Sequence, residues 1–263
     1  MYNYQAPFPM NRFFALLLMT TISNFAFAQG YIAHRGASHL APENTVAAAK
    51  LAWEQNADAV ELDIYLTKDN RIMVMHDKNT KRTTGKSMVI SESCSDSLRM
   101  LDAGSFKDAK YAEERIPFLE EMIATIPTGK KLVIELKCGS EVLPFLKDVV
   151  AKSGKQAQCL FIAFDWNTIV DTKKQLPNNA CYWLSSKKEG LSEKMKAAKA
   201  AGLDGLDLGY KAIDEQVMQQ AKELGLDILA WTVDDPAEAK RLIGLGVKGI
   251  TTNRPGWLKE NAK

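Results

Sequence analysis

The residues able to do chemistry are concentrated in one stretch of this chain. Its only three histidines, His34, His39 and His76, lie between positions 34 and 77, in a segment that opens AHRGASHLAPENT and closes MHD. Between His34 and His76 stand Glu61 and Asp63, two carboxylates at i, i+2 spacing. Imidazoles exchange protons near neutral pH, and grouped carboxylates hold a cation. Together these are the parts a phosphoryl-transfer site requires. Arg35 directly follows the first histidine, and Glu135 and Lys137 repeat the i, i+2 spacing further along.

Such residues need strands to aim them. DAVELDIYL (58–66) and RIMVMH (71–76) are apolar and partly β-branched, as buried strands are. Residues 67–70 between them are too few for a parallel crossover, so the two runs form an antiparallel hairpin. A turn centred between Lys68 and Asp69 sets Glu61 roughly opposite His76. Side chains alternate across a strand, so Glu61 and Asp63 share a face. A plainer reading stays open: Val60, Leu62 and Ile64 alternate with the two acids, as on an amphipathic strand with a solvated face.

From Tyr31 onward short apolar runs alternate with helical ones. Leaving out the return strand of the hairpin, eight parallel candidates remain, containing Ala33, Leu62, Ile134, Ile162, Tyr182, Leu206, Ile228 and Ile250. Helices are expected over TVAAAKLAWEQ, VLPFLKDVVAKS with Pro144 in its first turn, WNTIVDTKKQ, LSEKMKAAKAAG, DEQVMQQAKELG and PAEAKRLIGLG. Eight β/α repeats give a closed (β/α)8 TIM barrel, with a β-hairpin in place of the second helix and a short insertion after it. An open doubly wound sheet is the alternative. No G-x-G-x-x-G or P-loop pattern favours a nucleotide fold.

Barrel chemistry sits at the carboxyl ends of the strands. His34, Arg35, Glu61, Asp63, Glu135, Lys137, Phe164, Trp231 and Asn253 all fall at or near such ends. The three oxygen donors Glu61, Asp63 and Glu135 suit Mg²⁺ or Ca²⁺, and the alternative for them is ion pairing with Arg35 and Lys137. Arg35 offers a planar fork to a phosphate and Lys137 a point charge. His34 and His76 could divide acid and base work, or be two structural imidazoles. Trp231 could stack on a substrate or be plain core.

HRGAS, PENT, ELD and HD, followed by RTT, RIPFLEE, ELK and ITTNRP, resemble in this order the glycerophosphodiester phosphodiesterase family. The resemblance runs from Tyr31 to about Trp257. It implies hydrolysis of a glycerophosphodiester, a small-molecule substrate, to glycerol 3-phosphate and an alcohol, with one divalent cation on Glu61, Asp63 and Glu135. It implies catalytic roles for His34 and His76. Glu43 and Asn44, in PENT, would orient the first loop or touch phosphate and glycerol; Asn44 could equally cap a helix. Residues 78–116 resemble the family's small lid-like insertion. No family motif covers His39, which is expected to be non-catalytic. Two rivals remain: a lyase acting on whole phospholipids, like the related sphingomyelinase D toxins, and an inactive binding protein of the same fold. The mature chain lacks an obvious basic amphipathic or exposed aromatic segment for membrane docking. The presence of both histidines, all three carboxylates and Lys137 argues against decay.

The amino end is different in kind. From Met10, Arg12 is followed by an apolar run and then Ala26-Phe27-Ala28, a small-x-small cleavage pattern. Residues 1–28 therefore read as a secretory signal, and 29–263 as one barrel domain of an exported, periplasmic or secreted protein with no stable membrane anchor. The formal charge of +2 gives no electrostatic case for nucleic acid. Cys94, Cys138, Cys159 and Cys181 show no C-x-x-C spacing for zinc, and the reading favours free, buried thiols over a bridge between Cys159 and Cys181.

Overall fold

The eight apolar runs are eight parallel strands that close on themselves. In the computed structural model, which describes Met1 and residues 30–262, they are β1 (Gly30–Ala33), β2 (Ala59–Leu66), β4 (Lys131–Leu136), β5 (Cys159–Ala163), β6 (Cys181–Ser185), β7 (Gly205–Gly209), β8 (Asp227–Trp231) and β9 (Gly249–Thr252), with β3 (Ile72–Val74) as the antiparallel return. The leader expected over 1–28 lies outside the described residues. β1 pairs with β9 on one side and β2 on the other, which closes the barrel. Ten α-helices lie among the described residues: α1 (Val46–Glu54), α2 (Lys81–Thr84), α3 (Ser95–Arg99), α4 (Leu119–Ala124), α5 (Leu143–Lys152), α6 (Trp166–Gln175), α7 (Leu191–Ala200), α8 (Glu215–Leu224), α9 (Pro236–Leu245) and α10 (Pro255–Asn261). Asp214 caps α8 through the Val217 amide, and left-handed Gly225 ends it, as expected from the sequence.

Two apolar layers hold the barrel. The larger packs the outward side chains of the strands against the helices. The smaller fills the lumen with Ile32, Ala59, Val133, Leu160, Ile162, Tyr182, Leu184 and Leu229. Because side chains alternate along a strand, the residues two further along also point inward. That parity carries Ala59 to Glu61 and Asp63, Val133 to Glu135, and Leu229 to Trp231. The lumen is therefore apolar at its base and charged towards the carboxyl ends of the strands.

The hairpin departs from the expected register. Its pairs are Ile64 with Val74, Tyr65 with Met73 and Leu66 with Ile72, so the turn centres on Asp69. Lys68, Asp69 and Asn70 form a three-residue loop, closed by the Thr67 amide on the Arg71 carbonyl at 2.9 Å. Asn70 adopts left-handed φ of +60°, which such loops require at their last position. One residue of shift would swap the faces of the return strand. The strand stops at Val74 instead, short of the expected His76, and the chain turns away after the Met75 amide meets the Asp63 carbonyl at 3.0 Å.

The segment 78–116 has a core of its own. Met73 and Met75 from the hairpin pack with Ile90, Leu98, Leu101, Ala103 and Ile116. After it, the short α4 supplies Leu119, Met122 and Ile123 to the main core. All four cysteines are free thiols; Cys159 and Cys181 are buried, and burial pushes both up to about 12.

Candidate active site

Glu61 and Asp63 on β2 and Glu135 on β4 meet at the mouth of the lumen. The strand register places Asp63 beside Glu135. All three are buried (3, 1 and 8% exposed), and one carboxylate oxygen from each lies within 4.8 Å of the others. Crowding three carboxylates out of water is unfavourable. Burial first, then the charge of Asp63, pushes Glu135 up to about 7, and burial with both neighbours raises Glu61 well above its usual range. One oxygen of Asp63 is buried without a hydrogen-bond partner. An oxygen-only donor set with an orphaned, inward oxygen fits a hard divalent cation.

Ion pairing is present as well and does not exhaust the carboxylates. Lys137 Nζ sits 2.9 Å from Glu135 and 3.7 Å from Asp63. Arg35 Nε is 3.5 Å from Asp63 Oδ2, an ion-pair distance, and makes no hydrogen bond. Glu61 accepts the Arg35 backbone amide at 2.9 Å. The turn that carries this amide has left-handed φ at Arg35 (+55°) and at Gly36 (+80°). A Cβ on Gly36 would lie 2.6 Å from the Ala48 backbone in α1, so only glycine fits the turn.

Both histidines are fixed in the same tautomer. His34 Nδ1 lies 2.8 Å from Asn253 Oδ1, and His76 Nδ1 lies 2.7 Å from Asp77 Oδ1. An amide oxygen or a carboxylate can only accept, so each Nδ1 carries a hydrogen and Nε2 is the nitrogen left to exchange a proton. His76 Nε2 faces Lys137 Nζ at 3.3 Å. His34 opens on a hollow of about 280 Å³. Burial, then the charge of Arg35, lowers the pKa of His34, against the hydrogen bond to Asn253, so it is neutral at pH 7. His39 is exposed, and its amide is bonded to the Asn253 carbonyl.

Asn44 and Glu43 support this site from behind. Asn44 was a candidate helix cap or phosphate contact, but Thr45 caps α1, accepting the Ala48 amide. Asn44 is buried, has φ of +59°, and donates Nδ2 to Asp63 Oδ2 at 2.8 Å while its Oδ1 accepts the Asp63 amide. It holds a carboxylate of the triad. Glu43 bridges two arginines, Arg35 at 2.9 Å and Arg82 at 2.7 Å. Its pKa drops to about 2 although burial opposes this, because Arg82 and Arg35 bind the ionised form. Arg82, from α2, also holds Asp77 at 2.7 Å. A line of charge thus runs from His76 through Asp77, Arg82 and Glu43 to Arg35.

Trp231 spends its indole N–H on the Asp207 carbonyl at 3.2 Å, so only its ring is free for a ligand. It meets Phe164 edge-to-face at 5.5 Å, and the half-exposed Phe164 ring stands 5.9 Å from Lys137 Nζ. Three contributors were not singled out in the sequence: Arg82, hidden in RTT; Asp234, described below; and Asp207. Asp207 is buried in the lumen with one oxygen unpartnered, and burial, then Glu135, pushes its carboxyl well up.

Residues 34–257 match the family model described as the glycerophosphoryl diester phosphodiesterase family. A glycerophosphodiester phosphodiesterase from Caldanaerobacter subterraneus subsp. tengcongensis is 34% identical over 86% of this chain and 95% of its own length. The putative glycerophosphodiester phosphodiesterase YhdW of Bacillus subtilis is 32% identical over 88% and 97%. Among solved structures, an Oleispira antarctica phosphodiesterase in complex with the product sn-glycerol-3-phosphate superposes with a TM-score of 0.84 at 30% identity, covering 89% of this chain and 97% of that one.

Proposed function

This chain belongs to the glycerophosphoryl diester phosphodiesterase family, and from that premise we infer that its barrel mouth hydrolyses glycerophosphodiesters to glycerol 3-phosphate and an alcohol, using one divalent cation. The observation that carries the cation is the buried cluster of Glu61, Asp63 and Glu135. The Oleispira enzyme, which holds the product, supports the substrate class. When bound, Mg²⁺ or Ca²⁺ would offset the charge of the triad and withdraw electron density from the phosphoryl group.

The protein's own groups do the rest. Lys137 and the partnerless Nε of Arg35 both face the carboxylate cluster, where they neutralise charge that develops on phosphoryl oxygens. One histidine Nε2 takes the proton from the attacking oxygen, and the other delivers a proton to the leaving alcohol. Both need Nδ1 protonated, as the geometry has it. Phe164 and Trp231 form an apolar wall beside Lys137 for the carbon skeleton of the substrate.

Glycerophosphocholine is the cheap test substrate. Turnover should vanish in excess chelator and return with Mg²⁺ or Ca²⁺. Full activity in chelator, with no metal found by elemental analysis, removes the cation from the reading. Export is part of the same proposal, supported by the leader pattern. Amino-terminal sequencing of the exported chain should begin at Gln29. A chain recovered in the membrane fraction with residues 10–28 attached would count against it.

A further inference from the structure

Behind His34 lies a second carboxylate that the reaction as described does not use. Asp234, in the segment between β8 and α9, accepts Asn253 Nδ2 at 2.6 Å on Oδ2. Its Oδ1 accepts the Thr252 hydroxyl at 2.7 Å and the Asn253 amide at 2.8 Å. These bonds hold its pKa below the usual range against burial. We propose that Asp234 is a positioning residue that sets the tautomer of His34 by fixing which way the Asn253 amide faces. The proposal rests on the reading of His34 as an acid–base group.

The logic is one of donors and acceptors. An ionised carboxylate can only accept, so Asn253 must turn its NH₂ towards Asp234. Its oxygen then faces His34, with Ser38 Oγ donating to it from the side at 3.1 Å. An oxygen there demands hydrogen on His34 Nδ1. Nε2 is thereby kept as a lone pair in the neutral ring and as the donor in the cation. Whether His34 serves as base or acid, this arrangement is the competent one. The same oxygen favours the imidazolium, while Arg35 disfavours it and Asp63 and Glu43 favour it. Lys107 and Arg254 line the same hollow.

Asp234→Asn tests this. With Thr252 and the Asn253 amide still donating to one oxygen, the new NH₂ meets the Asn253 NH₂. The Asn253 amide flips, presents NH₂ to His34 and moves the imidazole proton to Nε2. Activity on glycerophosphocholine should fall about 10²-fold or more in kcat, with KM changed by less than about threefold. The ¹⁵N signals of His34 should move from Nδ1–H to Nε2–H. Thr252→Val removes another contact of Asp234 without touching the amide; it should lower Tm comparably and leave kcat within about threefold. Should Asp234→Asn fail to fold, Asn253→Ala with the same ¹⁵N readout replaces it, with loss of the Nδ1–H form expected. If Asp234→Asn keeps wild-type kcat or tautomer while His34→Ala is crippled, the proposal is wrong. If His34→Ala is itself fully active, the acid–base reading of His34 has failed instead.

Discussion

Removing the cation should make this protein less stable as pH rises, against the usual direction for carboxylates. Glu135 has its pKa pushed from 4.5 to about 7 by burial and by Asp63. The folded chain therefore binds a proton that the unfolded chain releases between those values. Its contribution is fully present below about pH 4.5 and is lost as pH climbs through about 7. At about 1.4 kcal/mol per unit, Glu135 alone accounts for about 3 kcal/mol. Glu61 and Asp207, both raised by burial, act in the same direction. His34 acts the other way just below its usual pKa of 6.5, because burial lowers it and folding then improves with pH. Glu43 and Asp77, held near 2 by Arg82 and its neighbours, matter only at more acid pH. For a domain of this size 3 kcal/mol corresponds to roughly 6–12 °C in Tm. The assay is denaturant unfolding in chelator from about pH 5 to pH 8, for wild type and for Glu135→Gln. Wild type should lose stability across that range, and the variant should lose much less. A cation at a hundredfold its Kd adds about 2.7 kcal/mol and should nearly cancel the loss at pH 8. A metal-free wild type that is flat or gains stability across the range, in parallel with Glu135→Gln, would refute the reasoning.

Three further outcomes follow from the site. His34→Ala and His76→Ala should each lower kcat by about 10²- to 10⁴-fold with bound metal retained, and their losses should not add, whereas His39→Ala should change it less than about threefold; a p-nitrophenyl leaving group should rescue only the histidine acting as acid, and an active His76→Ala on glycerophosphocholine would end the two-histidine mechanism. Asn44→Ala removes the bonds that hold Asp63 and should weaken cation binding about 10- to 100-fold by calorimetric titration, with wild-type affinity as the contrary result. Gly36→Ala forces a Cβ into the Ala48 backbone at left-handed φ and should cost at least about 2 kcal/mol in denaturant unfolding; an unchanged midpoint would show that the turn relaxes.

The barrel was legible because its signals are local and repeated. Each strand core named in the sequence, from Ala33 to Ile250, falls in an observed strand. Alternation put Glu61 and Asp63 on one face of β2, while their turn inward and their grouping with Glu135 rested on the barrel and the family resemblance. The hairpin register was not, because it turned on one left-handed residue, Asn70, rather than on any pattern. Asn44 looked like a cap because Asn favours that position, yet Thr45 took it and Asn44 was drawn to a carboxylate 19 positions away. The core of 78–116 was invisible since Met73, Ile90, Leu98 and Ile116 follow no period and the first belongs to the hairpin. Asp234 was masked by Asp235 beside it, which caps α9.

The register that sets Asp63 beside Glu135 also orders events in time. Glu61 and Asp63 are neighbours in any extended chain, but Glu135 reaches them only when β2 and β4 pair, after a separation that includes the hairpin, the insertion and α4. Closing so long a loop is slow, and its reward comes late on the folding pathway. The unfolded chain would offer a cation two carboxylates, and the folded barrel three. A cation that completes its coordination after the rate-limiting step leaves the folding rate nearly unchanged and lengthens the lifetime of the folded state.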